Sequence, residues 1–238
     1  MPTFRHGKNT IVLSDEFNLS QFLNSLSHSN AVETPETTVF GLSDRTYIVG
    51  HTDGSVSFEG LFEGSADAID ELFDAALGSD TERVLSVGNE GAALGRRAVL
   101  AASKQQTYEV SSPLADVVSI TASVIANGGL DYGIWLASEA ITTTLTGTAA
   151  DNTASSSNGG VGHLHITANA NDGATVAKIQ SSADNIAFAD LISFASVTAT
   201  TTASERVEVT GSVPRYLRAL VTPAGSGSLT VSIAFSRR

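Results

Sequence analysis

The chain of 238 residues contains no cysteine. That absence removes disulfide staples, thiolate nucleophiles and cysteine-ligated zinc in one step. Aromatic residues are scarce, 6% of the chain with a single tryptophan. Such a composition suits thin, repetitive β packing better than a deep aromatic-lined pocket. Cations are few: 13 Lys and Arg stand against 25 Asp and Glu, a net charge of −12. A protein that grips duplex nucleic acid must displace counterions with cations, so such binding is disfavoured. A surface past which DNA slides without sticking stays open. Long hydrophobic runs are missing too, and no stretch approaches the roughly 18 apolar residues of a membrane helix. The opening MPTFRHGKNTIVLSDEF has no apolar h-region. No secretory signal is therefore expected, and the chain is expected to be made, and to stay, in a cytoplasm.

Hydrophobic residues make up 42% and charged residues 16% of the chain, the balance of a folded protein rather than a disordered one. The length suffices for one large all-β domain or two modest ones. The charge is uneven. Residues 1–140 hold 7 Lys/Arg and 19 Asp/Glu, whereas residues 141–238 hold 6 of each. A Ser/Thr/Gly-rich segment, TTTLTGTAADNTASSSNGG, follows this change of character. The expected division is 1–137 and 138–238, with 138–160 as linker or exposed loop.

The first thirty or so residues mix Ile11, Val12 and Leu13 with a patch of Phe17, Leu19, Phe22, Leu23 and Leu26. Spacings of three and four predict a short helical turn, capped by Asp15, or an arm that docks on a partner. In DGSVSFEGLF, Val56, Phe58, Gly60 and Phe62 share one face of a half-buried strand, and Asp53-Gly54 before it signals a tight hairpin turn. SADAIDELFDAALG is the one clear helix. Ile69, Leu72, Phe73, Ala76 and Leu77 form its apolar stripe, Ser65 is its expected N-cap and Gly78 ends it. Asp67, Asp70 and Glu71 lie in the early turns and Asp74 on the solvated face. Strands are then predicted at 83–87, 96–103, 106–112, 116–126 and 131–137. The 116–126 run is apolar on both faces and so is expected to be central and covered. Beyond residue 160, HLHITA is expected to pair with TVAKIQSS across ANANDGA, and GSGS to turn the final hairpin. The short strands predict an antiparallel sandwich or jelly roll.

Motifs for chemistry are lacking. No G-x-S-x-G elbow, Walker loop or dinucleotide fingerprint occurs. The chain is read as a non-enzyme, with no catalytic residue, cofactor or metal site assigned. His163 and His165 share a strand face, but a metal needs a third ligand, and a half-exposed histidine pair is the plainer reading. Asp67, Asp70, Glu71 and Asp74 lack the loop spacing of a calcium site. Arg206, Arg215 and Arg218 form either an anion site or ordinary cross-strand pairs with Glu205 and Glu208.

The order of ETTVFG, Tyr47, Gly50, DGSVSFEGLFEG, an acidic helix and VVSITASVIANGGLDYG resembles the major tail tube proteins of long-tailed, siphovirus-type bacteriophages. The carboxyl stretch from KIQSSADNIAFADLISF to LTVSIAFSRR is similar to the same region in actinobacterial phages. The resemblance runs from about residue 33 and implies two packed antiparallel β-sheets flanked by one α-helix, with a carboxyl β-sandwich on the outside. It implies hexameric rings stacked into a hollow tube within the virion tail, through which DNA passes without specific binding. The implied partners are further copies of the chain, a tape measure protein, a tail terminator and baseplate or distal tail proteins, with no membrane. Glu59, Glu109 and Asp116 are then candidate lumen acids. Ile11, Val12, Leu13, Phe17, Phe22 and Leu23 are a candidate ring-stacking arm, flexible before assembly. The competing reading is an extracellular carbohydrate-binding or adhesion β-sandwich. It would call for a signal peptide and aromatic platforms, and beyond residue 110 only Tyr132, Trp135 and Tyr216 are candidates.

Overall fold

Alternation of apolar and polar residues along much of the chain dictates strands, and strands dominate. The computed structural model describes residues 6–41, 43–65 and 68–238. Among them run β1 (Ile11–Ser14), β2 (Phe17–Asn18), β3 (Leu23–Val32), β4 (Thr52–Leu61), α1 (Ile69–Ala76), β5 (Arg83–Gly88), β6 (Arg97–Ser111) and β7 (Ser119–Ile141). They are followed by β8 (Leu145–Thr146), β9 (Ala150–Asp151), β10 (Gly160–Asn169), β11 (Thr175–Ser182), β12 (Ala189–Ser193), β13 (Ala203–Val209), β14 (Tyr216–Pro223) and β15 (Leu229–Arg237). The fold is mainly antiparallel β, with a single α-helix among the described residues.

The chain divides into two compact units, one of Met1–Gln21, Arg83–Leu100 and Asp131–Arg238, the other of Phe22–Glu82 and Ala101–Leu130. The boundary expected near residue 138 therefore falls inside a strand. The sequence suggested breaks within 96–112 and 116–137, yet each stretch is one strand, β6 and β7. At the second break Gly128 and Gly129 take φ of 85° and 82°, a left-handed conformation glycine adopts without steric cost, and the strand runs on through them.

In the first unit a curled sheet has the order β13-β10-β15-β7-β6-β5-β1-β2. It faces a smaller sheet of β12-β11-β14-β8, with β9 on β14. Between the two sheets lies the larger core, with Leu164, Ile166, Ile179, Leu217, Val221 and Phe235 among its buried residues. The opposite face of the curled sheet encloses Leu13, Ala98, Leu100, Trp135, Val161 and Ala234. Two expected pairings are corrected here. β10 pairs with β13 and β15, and β11 pairs with β12 and β14. ANANDGA is thus an arch between sheets rather than a hairpin turn, and GSGS joins β14 to β15 in the same way. The arches pack on each other: the Asp172 carboxylate accepts from the Ser226 N–H at 2.5 Å, and Asp172 N–H donates back to the Ser226 carbonyl. The expected linker is also built in. β8 and β9 pair with β14, and Ser156 bridges Val213.

Residues 1–5 of the expected amino-terminal arm lie outside the described residues, and the described part, from residue 6, is built into the sheets. Val12 and Leu13 are 1% exposed in β1, which pairs with β5, and Leu19 is equally buried. Their hydrophobic surface is already spent within the chain. Asp15 caps no helix. Its carboxylate accepts the Val84 N–H at 2.8 Å and pairs with Arg83 at 3.3 Å, which fastens the start of β5.

In the second unit the sheet order is β3-β4-β7-β6. Asp53 and Gly54 lie inside β4, opposite Ala31 and Asn30, not in a turn. Residues 33–51 link β3 to β4 as an extended loop, closed by Glu33–His51, Gly50–Glu33 and Thr37–Thr46 backbone bonds and a Glu36–Tyr47 bridge. A Cβ on Gly60 would stand 2.4 Å from the Phe22 carbonyl oxygen. Only glycine lets the start of β3 lie that close.

Candidate assembly surface

The second unit concentrates the charge of the whole chain. It holds two cations, Arg45 and Lys104, and fourteen Asp and Glu, a net of −12, whereas the other unit holds eleven of each. Both cations are spoken for: Arg45 lies 3.8 Å from Glu36 and Lys104 3.3 Å from Asp80.

The period-two pattern of β4 separates two faces. Gly54, Val56, Phe58 and Gly60 are buried, while Asp53, Ser57, Glu59 and Leu61 are exposed. The buried face receives α1. Phe73 stacks on Phe58 with centroids 5.9 Å apart and leans on Tyr108 of β6 at 5.8 Å. Asp70, in the helix's first turn, accepts the Tyr108 hydroxyl. Desolvation, followed by this bond and the Asp70 charge, raises the phenol's pKa above its ordinary value. The helix is shorter than expected. It starts after Ala68, which makes no side-chain cap. Ser65 instead turns its hydroxyl to Glu63, and Glu63's carbonyl accepts from Asp70 N–H. Ile69, Phe73 and Ala76 are buried, whereas Leu72 is half-buried and Leu77 exposed. Asp67 lies outside the described residues.

The opposite face is a field of hydroxyls. Register places Ser27 beside Ser57 and Ser57 beside Ser123, and the Ser123 hydroxyl meets that of Thr107 at 2.6 Å. The neighbouring rows set Ser25, Glu59 and Thr121 together, and Ser29, Ser55 and Ile125. Glu59 and Glu109, two of the acids singled out in the sequence, belong to this face. Asp116 does not. It sits in the connection before β7, its carboxylate accepting its neighbour Val117's N–H. None of these rows contains a lysine or arginine.

The sheet has two open edges. Among the described residues of this unit β3 has β4 as its single strand neighbour, and β6 has β7. The 33–51 loop carries a third feature. Its Phe40 is fully exposed and Val49 is 81% exposed, with Val39, Tyr47 and Ile48 also in solvent.

The six apolar residues of the expected arm are dispersed. Ile11, Val12 and Leu13 are in β1, Phe17 is in β2, and Phe22 and Leu23 enter the other unit. The other candidates of the sequence separate as well. Arg206 pairs with Asp131 and Glu208, Arg215 with Asp151, and Arg218 with Gln180 while stacking on Phe188. They form no common anion site. His163 and His165 are fully buried rather than half-exposed.

No family model and no curated protein matches the chain. Among solved structures it is similar to a chain in the virion of a native gene transfer agent particle, at 16% identity and a TM-score of 0.46, over 54% of this chain and 98% of that one. A chain from the tail of an empty gene transfer agent particle with C6 symmetry gives 15% identity and a TM-score of 0.44 over the same shares. The Dit (gp 19.1) protein of phage SPP1 covers 96% of this chain and 99% of its own length, at 12% identity and a TM-score of 0.39. Likenesses of this size transfer no residue role.

Proposed function

We propose that this chain is a structural subunit of a bacteriophage tail tube. Six copies close into a ring through the edges of the β3-β4-β7-β6 sheet, and rings stack into a conduit for viral DNA. The observation that carries the reading is one sheet with two open edges, a helix on one face and a cation-free hydroxyl face on the other. An open edge invites strand addition, and a closed barrel abolishes edges. A head-to-tail contact, β3 of one copy against β6 of the next, closes into a ring when its rotation allows. Six copies supply roughly 24 strands, more than the 16–18 that already leave an aqueous channel.

The helix-covered face has its apolar side chains satisfied within the subunit, so the hydroxyl face is the one turned to the lumen. Ser and Thr hydroxyls keep that wall wetted, and Glu59 and Glu109 give it the sign that repels phosphate. With no lysine or arginine on the wall, the counterion release that drives DNA binding has no source. The exposed apolar residues of the 33–51 loop supply a contact between successive rings, the role the sequence had suggested for the first thirty residues. A tape measure protein would fill the lumen before DNA, and terminator and distal tail proteins would meet the two ends of the stack.

Electron microscopy of the purified full chain, with sedimentation across a concentration series, tests this reading. Rings or tubes with a central hole are the expected result. A monomer at every concentration and salt would refute it and favour an isolated binding module.

A further inference from the structure

Beneath the curled sheet of the first unit lies a polar chain that the assembly does not use. His163 and His165 of β10 are both 0% exposed, and both rings reach the one hydroxyl of Ser86 on β5. The bond directions follow from one fixed end. His165 Nδ1 lies 2.6 Å from the Asp15 carbonyl, which can only accept, so Nδ1 carries the proton. His165 Nε2 is then bare and accepts the Ser86 hydroxyl proton at 2.8 Å. With its proton committed, Ser86 Oγ accepts from His163 Nδ1–H at 3.0 Å. His163 Nε2 is left bare and buried, with no hydrogen-bond partner among the described residues.

We propose that this His163–Ser86–His165 chain is an acid-released lock that fastens β5, and through it β1, to β10. β1 pairs with β5 from Ile11 opposite Gly88 to Ser14 opposite Leu85, and β5 has β6 as its other neighbour, so the lock adds to these ladders the tie that holds the β1–β5 pair to β10. The lock works only with neutral rings. A proton on His165 Nε2 turns the acceptor into a donor and leaves the Ser86 hydroxyl facing two donors. A proton on His163 Nε2 places a buried cation beside another ring whose centroid is 6.2 Å away.

The surrounding charges give little relief. On β13, Arg206 lies opposite His163 and Ser204 opposite His165; on β15 the partners are Ala234 and Ser232. β5 contributes Arg83, and the β1–β2 turn contributes Asp15 and Glu16. Arg206 is already held by Asp131 and Glu208, and Asp15 by Arg83. Desolvation holds His165 down to about 4 and His163 well below the ordinary value, with the other ring and Arg206 adding to the latter and the Leu85 carbonyl opposing it. An opened chain takes up protons on both rings near pH ~6.5, whereas the closed one does not until about 4 for His165. The opened form therefore binds more protons across that interval, and the lock weakens as pH falls through it. Asp15 acts in the opposite sense. Burial raises its pKa, so its protonation on acidification relieves a cost and offsets part of the loss.

Hydrogen exchange on the full chain at about pH 7 and about pH 4.5, corrected for intrinsic rates, tests the lock. Each ring that charges on opening raises the opening equilibrium by up to about tenfold per pH unit. Amides of 11–14 and 83–88 should lose protection by more than tenfold, while β11 and β14 keep theirs. Ser86→Ala removes a donor that favours neutral His165, so the closed form takes up its proton at higher pH, and the loss of protection between the two pH values should shrink. A His163→Gln/His165→Gln chain should exchange with little pH dependence in these segments. Equal protection of 11–14 and 83–88 in the unaltered protein at both pH values would overturn the proposal. So would a pH response that survives unchanged in Ser86→Ala or in the double variant, since that would place the trigger outside the two rings, and not on Asp15, whose protonation acts in the opposite sense.

Discussion

Replacing Phe73 by alanine tests how the sheet of the acidic unit is held. Phe73 is nearly fully buried on an eight-residue helix, and its ring is the direct aromatic link from α1 to both Phe58 of β4 and Tyr108 of β6. Burial of a phenylalanine side chain contributes about 1.5–3 kcal/mol, and each aromatic pair adds about 0.5–1.5 kcal/mol. Measured Phe→Ala costs of about 3–5 kcal/mol include the cavity left behind. A helix of two turns can settle toward the gap, so the expected loss is about 3 kcal/mol, at the lower end of that range. Each 1.4 kcal/mol is about tenfold in an equilibrium constant, so the amides of residues 69–76 should open more than a hundredfold more often. Hydrogen exchange reads this directly, and urea unfolding gives the free energy. Leu77→Ala is the control, because Leu77 is exposed and its truncation should change little. Wild-type protection of α1 in Phe73→Ala would show that the helix is held by something other than this aromatic stack.

Two further outcomes follow from the same unit. Gly60→Ala puts a methyl 2.4 Å from the Phe22 carbonyl oxygen, so the start of β3 must move; a lowered thermal midpoint and loss of ring formation are expected, and normal assembly would mean that β3 is not the joining edge. Ser57→Lys combined with Ser123→Lys puts two cations per subunit on the hydroxyl face; assembled tubes should then bind duplex DNA with an affinity that falls steeply with salt, and salt-insensitive or absent binding would place that face away from the lumen.

Much of the sheet was legible because strand alternation and burial coincide. Val56, Phe58 and Gly60 alternate in β4 as they do in the sequence, and the Ile69, Phe73, Ala76 stripe identifies the buried side of α1. The charge split was legible as well, and the folded units sharpen it to the whole −12 in one of them. What failed shares a cause. Turn chemistry reports that the chain reverses, not whether it returns to the same sheet, so ANANDGA and GSGS read as hairpins although both are arches. Short apolar clusters such as Ile11–Leu13 carry no signal of their partner, and β5, some seventy residues away, supplies it. Gly128 and Gly129 read as a break because glycine usually ends strands, yet here their positive φ angles keep one strand continuous. The burial of His163 and His165 depends on Ser86 and Asp15, neither of which any local pattern connects to them.

The central claim is that β3 of one copy joins β6 of the next, and disulfide trapping across that junction tests it most directly. The chain has no cysteine, so every disulfide formed would be an introduced one. Cysteine placed at Ser25, Ser27 or Ser29 on β3, combined in turn with cysteine at Thr107 or Glu109 on β6, samples the registers in which Cβ atoms approach within about 3.5–4.5 Å. On mild oxidation at least one pairing should give a ladder of covalent oligomers that ends at the hexamer and contains a closed species. Monomer in every pairing, or dimers with no higher rung, would contradict a ring built by extension of this sheet.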